Sequence, residues 1–465
     1  MKKQIRFFYF FSAFLILIFL WICRPEGLYF LADDFYHIPI SAGSTFYDAT
    51  WLRPVSRISL WLDARIFGMN YFGFYLTNVI FHLANAVIIY FLSIKIKKYF
   101  FEDTKENYCS AGFTALLFLL YCSHTESVFW IVGRGGSLVT IFIQLSLILY
   151  FSNQKRSKFY SYIFFIVALF TYELSWVVPL LISFFVIFKR YIVPTFRLTY
   201  EPLIYWVILI FYFIVRYSFL NGELNDYEAG AYLHFNLGII FYHFSTAVSR
   251  VFVPAFEISS LFSVMTAMVF ALFIIILIKL CRHYKKLFHF TIICFASISI
   301  CLLPILTFGA NTHNSESERF IYPASVFFCI MIGHLVSSIQ SIQLRGLLSY
   351  SLPIFNLLFF YKSSVDYRYG GYVTKYITEE INHLPRTDTL HFQNLPSNYG
   401  GAIIFRSGLP RSSHGIFNKE FKKIDPVSKE QLFKKEQFKT KIIHINSTPA
   451  NVTFKLIGDT LFIYK

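Results

Sequence analysis

The chain has 465 residues, 56% hydrophobic and only 15% charged, with a mean hydropathy of +0.54, and several of its apolar runs exceed the roughly 18 residues that mark a spanning helix. That composition excludes an ordinary soluble globular protein and implies a polytopic membrane protein. The formal charge of +16 is not a nucleic-acid footprint, because Lys and Arg are divided among short loops and a polar tail, where they act as topology signals.

The N-terminal stretch "MKKQIRFFYFFSAFLILIFLWICRPEG" has the basic start and apolar core of a signal peptide but no small-x-small cleavage site, which predicts an uncleaved first helix. Taking each apolar run in turn predicts about eleven spans, near 7–23, 74–94, 109–123, 137–152, 159–173, 174–188, 201–219, 263–281, 288–308, 320–341 and 346–361. With "MKKQIR" inside, the loops "KIKKYFFEDTK", "NQKRSK", "KRYIVPTFR", "KLCRHYKK" and "QLR" all fall on the same side and carry much of the basic charge. The opposite face then holds the loop 24–73, "HTESVFWIVGRGGS", "TYELS", the loop 220–262, "GANTHNSESERF" and the tail. Residues 1–361 form the membrane domain in this reading. Residues 362–465 open with the amphipathic "GGYVTKYITEEINHL" and continue as short alternating runs broken by Gly, Pro, Asn and Asp, predicting a small extracytoplasmic α+β domain. The seven Cys form no CxxC pair, which argues against a metal cluster or a disulfide framework.

Unusual polar residues gather on the outer face. Asp33 and Asp34 in "LADDFYHIPI" are adjacent carboxylates, and each resists the other's second charge, so one can be held with a raised pKa as a general base requires. Acid pairs in loops more often stay solvated or cap a helix, but this pair closely follows a span and is flanked by Phe30, Phe35 and Tyr36. Past it, Val55, Ile58, Leu62 and Ile66 recur at helical spacing while Arg57 and Arg65 fall off that stripe, predicting an interfacial amphipathic helix entered through Arg53-Pro54. Asn78, His82 and Asn85 share one face of the next span, which places them in the protein interior or a water-filled cavity, or makes them helix–helix hydrogen-bonding groups. His124 and Glu126 mark the end of the third span, Arg134 begins the return, Glu173 sits in a tight turn, and Glu318-Arg319 precedes the tenth span. Three arginines, Arg53, Arg134 and Arg319, share the compartment of the acid pair, and their planar forks suit a phosphate.

Taken in order, "DD", "RPVSRISLWLDARIFGMNYFGFYLTNVIFHLANA", "HTESVFWIVGRGGSLVTIFI", "TYELSWVVPLL" and "SERFIYPASVFFCIMIG" resemble the GT-C superfamily of membrane glycosyltransferases. The similar branch is that of the transmembrane O-mannosyltransferases with tetratricopeptide repeats and their bacterial relatives. The matches run from about residue 30 to 335. Tyr172 stands where the family usually has Lys, Gly135, Gly136 and Ser137 replace an expected acid, and no tetratricopeptide repeats follow.

The resemblance implies a GT-C-like helical bundle that transfers a sugar from a polyprenyl-phosphate donor to a glycan, lipid or protein acceptor on the outer face, with inversion. It implies Asp33 as general base, with Asp34 orienting it, or the pair as ligands to a divalent cation such as Mg or Mn. Arg319, Arg134 and Arg53 would meet the lipid phosphate. His82, Asn78, Glu173, His124, Glu126 and Glu318 would shape the substrate pocket. A bacterial inner membrane with the N-terminus in the cytoplasm is the expected location. A transporter or flippase of lipid-linked sugars and an inactive GT-C-like scaffold are the rival readings. Transporters tend to place polar groups near the midplane of repeated halves, and no repeat is visible here.

Overall fold

In the computed structural model, which describes residues 2–42, 52–101, 106–152, 154–220, 236–306, 309–383, 389–393, 398–404, 423–424, 441–445, 451–457 and 460–464, a helix lies at every one of the eleven predicted runs. These are α1 (Lys2–Ile22), α4 (Tyr71–Phe100), α5 (Glu106–Leu119), α7 (Arg134–Tyr150), α8 (Lys155–Leu169), α9 (Val178–Ile192), α10 (Glu201–Phe219), α12 (Ser259–His283), α13 (Lys285–Cys301), α14 (Glu318–Ser337) and α15 (Ile342–His383). Among the described residues, six segments are long and apolar enough to cross a membrane: Tyr71–Phe100, Glu173–Ile192, Glu201–Phe219, Ser259–His283, Lys285–Ile305 and Glu318–Ser337. Four further helices lie among the described residues, α2 (Asp34–Ala42), α3 (Pro54–Phe67), α6 (Thr125–Phe129) and α11 (Leu237–Phe252).

Two features depart from the simple string of spans. Between α5 and α7 the chain breaks at Cys122–Phe129 and turns by 110° into Arg134–Tyr150. The expected loop 220–262 contains α11, started by Asn236, whose side chain accepts from the Gly238 and Ile239 amides at 2.9 and 3.3 Å; residues 221–235 of that loop, like 43–51 of the first, lie outside the described residues.

Pro54 occupies the first turn of α3, where its missing N–H costs nothing. The helix is inside out: Ile58, Leu62 and Ile66 are 44%, 46% and 68% exposed, whereas Arg57, Ser59 and Asp63 are buried. An apolar outer stripe over a polar inner face is the arrangement of a helix lying in a membrane interface.

The enclosure of the spans is uneven. The central span α14 has 78% of its apolar window buried, against 11% for α12, so residues on α14 meet protein on most sides. α15 runs unbroken across the predicted boundary at 361–362, and its 42 residues extend about 60 Å at 1.5 Å per residue, twice the roughly 30 Å of a hydrocarbon core. Beyond it lie β1 (Thr389–Gln393), β2 (Asn398–Tyr399), β3 (Ala402–Ile403), β4 (Lys423–Ile424), β5 (Lys441–Ile445), β6 (Asn451–Ile457) and β7 (Thr460–Tyr464). Five form a mixed sheet in the order β4-β1-β6-β7-β5, with only β6 and β7 antiparallel, Phe454 opposite Ile463. β2 and β3 form a separate antiparallel hairpin across Gly400-Gly401.

Candidate active site

The acid pair sits on a turn fixed by four other parts of the chain. The Tyr75 hydroxyl on α4 donates to the Tyr29 carbonyl at 2.6 Å. The Trp130 indole N–H donates to the Leu31 carbonyl at 3.2 Å, the Ala32 N–H donates to the Ile404 carbonyl at 2.8 Å, and α15 packs its Gly370 and Gly371 against the turn. Ala32 takes φ +44°, a left-handed conformation unusual for a residue with a Cβ.

The two acids have different environments. Asp34 opens α2, is fully buried, and accepts from the Leu31 and Val132 amides at 2.9 and 3.0 Å. Burial raises its pKa to about 8, opposed by those two amide donors and by Arg134 and reinforced by the Asp33 charge. Asp34 is therefore mainly protonated at neutral pH. Asp33 is only partly buried, and its carboxylate acts electrostatically on Arg319.

Around Arg319, on the first turn of α14, two cations alternate with aromatic rings. The Arg53 guanidinium lies 4.2 Å over the Tyr172 ring, Tyr172 stacks on Phe320 at 6.2 Å and 15°, and Arg319 lies 4.3 Å over Phe320 and 4.8 Å over Trp130. Each guanidinium is anchored by one acid. Arg53 makes bonds of 2.7 to 3.1 Å to Glu173, and Arg319 pairs with buried Glu126, which also accepts the Arg319 backbone N–H at 2.8 Å. Both arginines keep part of their side chains accessible, 24% and 19%, so they can meet an anion. Arg216 also joins Glu173 at 3.4 Å. Gly136, where the similar family has an acid nearby, has a steric reason: a Cβ there would come within 2.5 Å of the Arg319 carbonyl oxygen, whereas one on Gly135 would make only ordinary contact with the Tyr172 ring.

Other predicted site residues are occupied elsewhere. Arg134 does not face a phosphate: its guanidinium is buried, bonded to Asp63 at 2.5 Å, to the Phe74 carbonyl at 2.8 Å and to the Ile131 carbonyl at 3.2 Å, and so pins α3 to α4 and α7. Asn78 and His82 line no open pocket. Asn78 donates to the Trp130 carbonyl at 2.9 Å, and His82 joins the Tyr322 hydroxyl at 2.6 Å and the Leu119 carbonyl at 2.9 Å; of the two interior readings of this face, helix–helix hydrogen bonding is the one realised. His124 is buried against Tyr322, with Nε2 2.7 Å from the Ser325 hydroxyl. Glu318 accepts from Arg250 at 2.9 Å and Thr125 at 2.6 Å.

A resident divalent ion does not fit the acid pair. Both Asp34 oxygens already accept backbone amides, and among the described residues no group of three or more His, Cys, Asp or Glu converges on the pair.

Sequence reasoning missed Asp63, Arg250, Tyr172 and Trp130 as site-building residues. Two left a signal. An acid on the polar face of an interfacial helix must find a cation inside the protein, as Asp63 does, and an Arg in the apolar run "FYHFSTAVSRVF" must find an acid, as Arg250 does.

No protein-family model matches the chain. A protein O-mannosyl-transferase of Caenorhabditis elegans is 28% identical over 129 residues, which are 28% of this chain and 17% of the relative's length. Among solved structures, ArnT from Cupriavidus metallidurans in the apo state aligns over 82% of this chain and 81% of its own, with 11% identity and a TM-score of 0.49. The same protein bound to undecaprenyl phosphate aligns over 82% of each chain, with 11% identity and a TM-score of 0.48.

Proposed function

We propose that this chain is a membrane glycosyltransferase that moves a sugar from a polyprenyl-phosphate-linked donor to an acceptor hydroxyl on the outer face of a bacterial inner membrane, within a GT-C-like bundle of about eleven spans. The observation that carries this reading is the Arg53–Tyr172–Phe320–Arg319 stack beside a split acid pair, on motifs that resemble the O-mannosyltransferase branch.

In the proposed step Asp33 takes the proton of the acceptor hydroxyl while that oxygen attacks the anomeric carbon. The bond from that carbon to the phosphate oxygen breaks, and the polyprenyl phosphate leaves with the electron pair. Attack opposite the leaving group inverts the anomeric centre. Arg319 and Arg53 meet the charge growing on the phosphate, the point at which fixed cations lower a barrier most. Neutral Asp34 keeps the turn in place without adding a second negative charge beside the base. Glu173 and Glu126 orient the two guanidiniums, whose side chains stay partly accessible to a phosphate. A glycan, a lipid or a protein could each present the acceptor hydroxyl.

The test is mass spectrometry of envelope glycans and polyprenyl-phosphate sugars from cells lacking the protein, complemented with the native chain or with Asp33→Asn. A positioned base contributes roughly 100- to 10,000-fold, so the native chain is expected to restore the missing sugar and Asp33→Asn to fail while still reaching the membrane. Equal restoration by Asp33→Asn would remove the acid from the chemistry and return the transporter and scaffold readings.

A further inference from the structure

From the contacts of the hairpin Asn398–Ile404, we propose that this segment of the tail is a positioning strap for the acid turn, holding it in register with the helix that carries Arg319. The inference rests on the proposed sugar transfer at Asp33.

The hairpin makes three attachments. Its last residue lends a carbonyl: Ile404 accepts the Ala32 N–H at 2.8 Å, directly beside Asp33. Ala32 is left-handed and buried, and a residue with a Cβ holds that conformation only when its surroundings impose it. At the tip, Gly401 lies flush on the segment leading into α14; a Cβ there would fall 1.7 Å from the Ser315 hydroxyl oxygen and 2.7 Å from the Ser315 amide nitrogen. Gly400 takes φ +52° and lies flush on α15, where a Cβ would come within 2.2 Å of an Asp366 carboxylate oxygen. Ala402 and Ile404 then bury themselves against Gly370 of α15, which also faces Leu31.

One seven-residue segment therefore bridges three pieces distant in sequence: the turn bearing Asp33, the approach to Glu318-Arg319, and α15. Asp33 acts on the entering hydroxyl and Arg319 on the leaving phosphate, on opposite faces of the anomeric carbon, so their separation must be fixed, and the strap touches the chain just before each of them. The glycine pair is required because any side chain at the tip would lift the hairpin off Ser315 and Asp366.

The experiment uses the full chain in lipid nanodiscs. Gly401→Val is expected to raise hydrogen–deuterium exchange over residues 28–34, to leave the affinity for polyprenyl phosphate itself within about twofold, and to lower transfer roughly 10- to 100-fold, as small misplacements of catalytic groups do. Ser315→Gly added to Gly401→Val is expected to recover part of the transfer. Gly401→Ala is the milder variant if the valine chain fails to accumulate, with the same changes at smaller amplitude. Unchanged exchange at 28–34 would overturn the strap. So would raised exchange with undiminished transfer while Asp33→Asn still abolishes it, an outcome that leaves the enzyme reading intact. Full transfer by Asp33→Asn would overturn both.

Discussion

At the scale of single residues, the adjacent acids divide their work by burial. Asp34 has its folded pKa raised from the ordinary 3.8 to about 8 by desolvation, so between those values the folded chain holds a proton that the unfolded chain releases. Its contribution to stability is complete below the lower value and is lost as pH rises toward the upper one. Thermal unfolding in detergent should therefore show stability declining over that window. Asp34→Asn, neutral throughout, should flatten the slope at a cost of about 1–3 kcal/mol for one amide left without its acceptor. A wild-type slope that survives the substitution would assign it to another group. The phosphate reading has its own residue-level check. Arg319→Lys keeps a cation near Glu126 but loses the planar fork; it should accumulate normally and lose roughly 100-fold or more in transfer. The sequence marked the pair and three arginines, and the family resemblance implied different roles for the two acids, but the burial that divides them and sets Arg134 apart from Arg53 and Arg319 was not legible. That division depends on Asp63, 71 residues away in sequence from Arg134, and on amides that only the fold brings to Asp34.

At the scale of elements, apolar runs were legible wherever a helix meets lipid, since composition alone identifies them. Less legible was the break at Cys122–Phe129, held by side chains from other helices: Asn78 donates to the Val128 carbonyl and to that of Trp130 just after it, and the Cys122 amide donates to Asn356. The helix α11 was hidden because its apolar run is only 16 residues long, too short to read as a span. Packing between α7 and α14 supplies an element-level test. Gly136→Ala places a methyl group 2.5 Å from the Arg319 carbonyl, so one helix must move. Transfer should fall while Gly112→Ala, whose Cβ would meet nothing within 4 Å, leaves it unchanged; equal activity of the two would show that the contact between these helices does not matter.

For the whole molecule, orientation is open to measurement without any substitution. The described cysteines are all free thiols and only Cys109 and Cys281 are exposed; both neighbour basic loops assigned to the cytoplasm. A membrane-impermeant maleimide should therefore label intact spheroplasts little and permeabilised ones strongly, and labelling of both thiols from outside would reverse the topology. The tail was read as an α+β unit with its own boundary at 361–362. α15 passes through that position, and the hairpin Asn398–Ile404 contacts the acid turn through the Ile404 carbonyl. No local pattern could show this, because the link is a backbone carbonyl and two glycines, which carry no periodic signal.

The inverted faces of α3 also reverse the usual logic of mutational tolerance. In an ordinary surface helix, polar substitutions outside are harmless and charges inside are damaging. Here a lysine replacing Leu62 would meet hydrocarbon, whereas leucine replacing Asp63 would strand the buried Arg134. A saturation library of this helix should retain charge at Arg57 and Asp63 and apolar residues at Ile58, Leu62 and Ile66, so a stability predictor that assumes water outside would rank variants at these positions in nearly the opposite order.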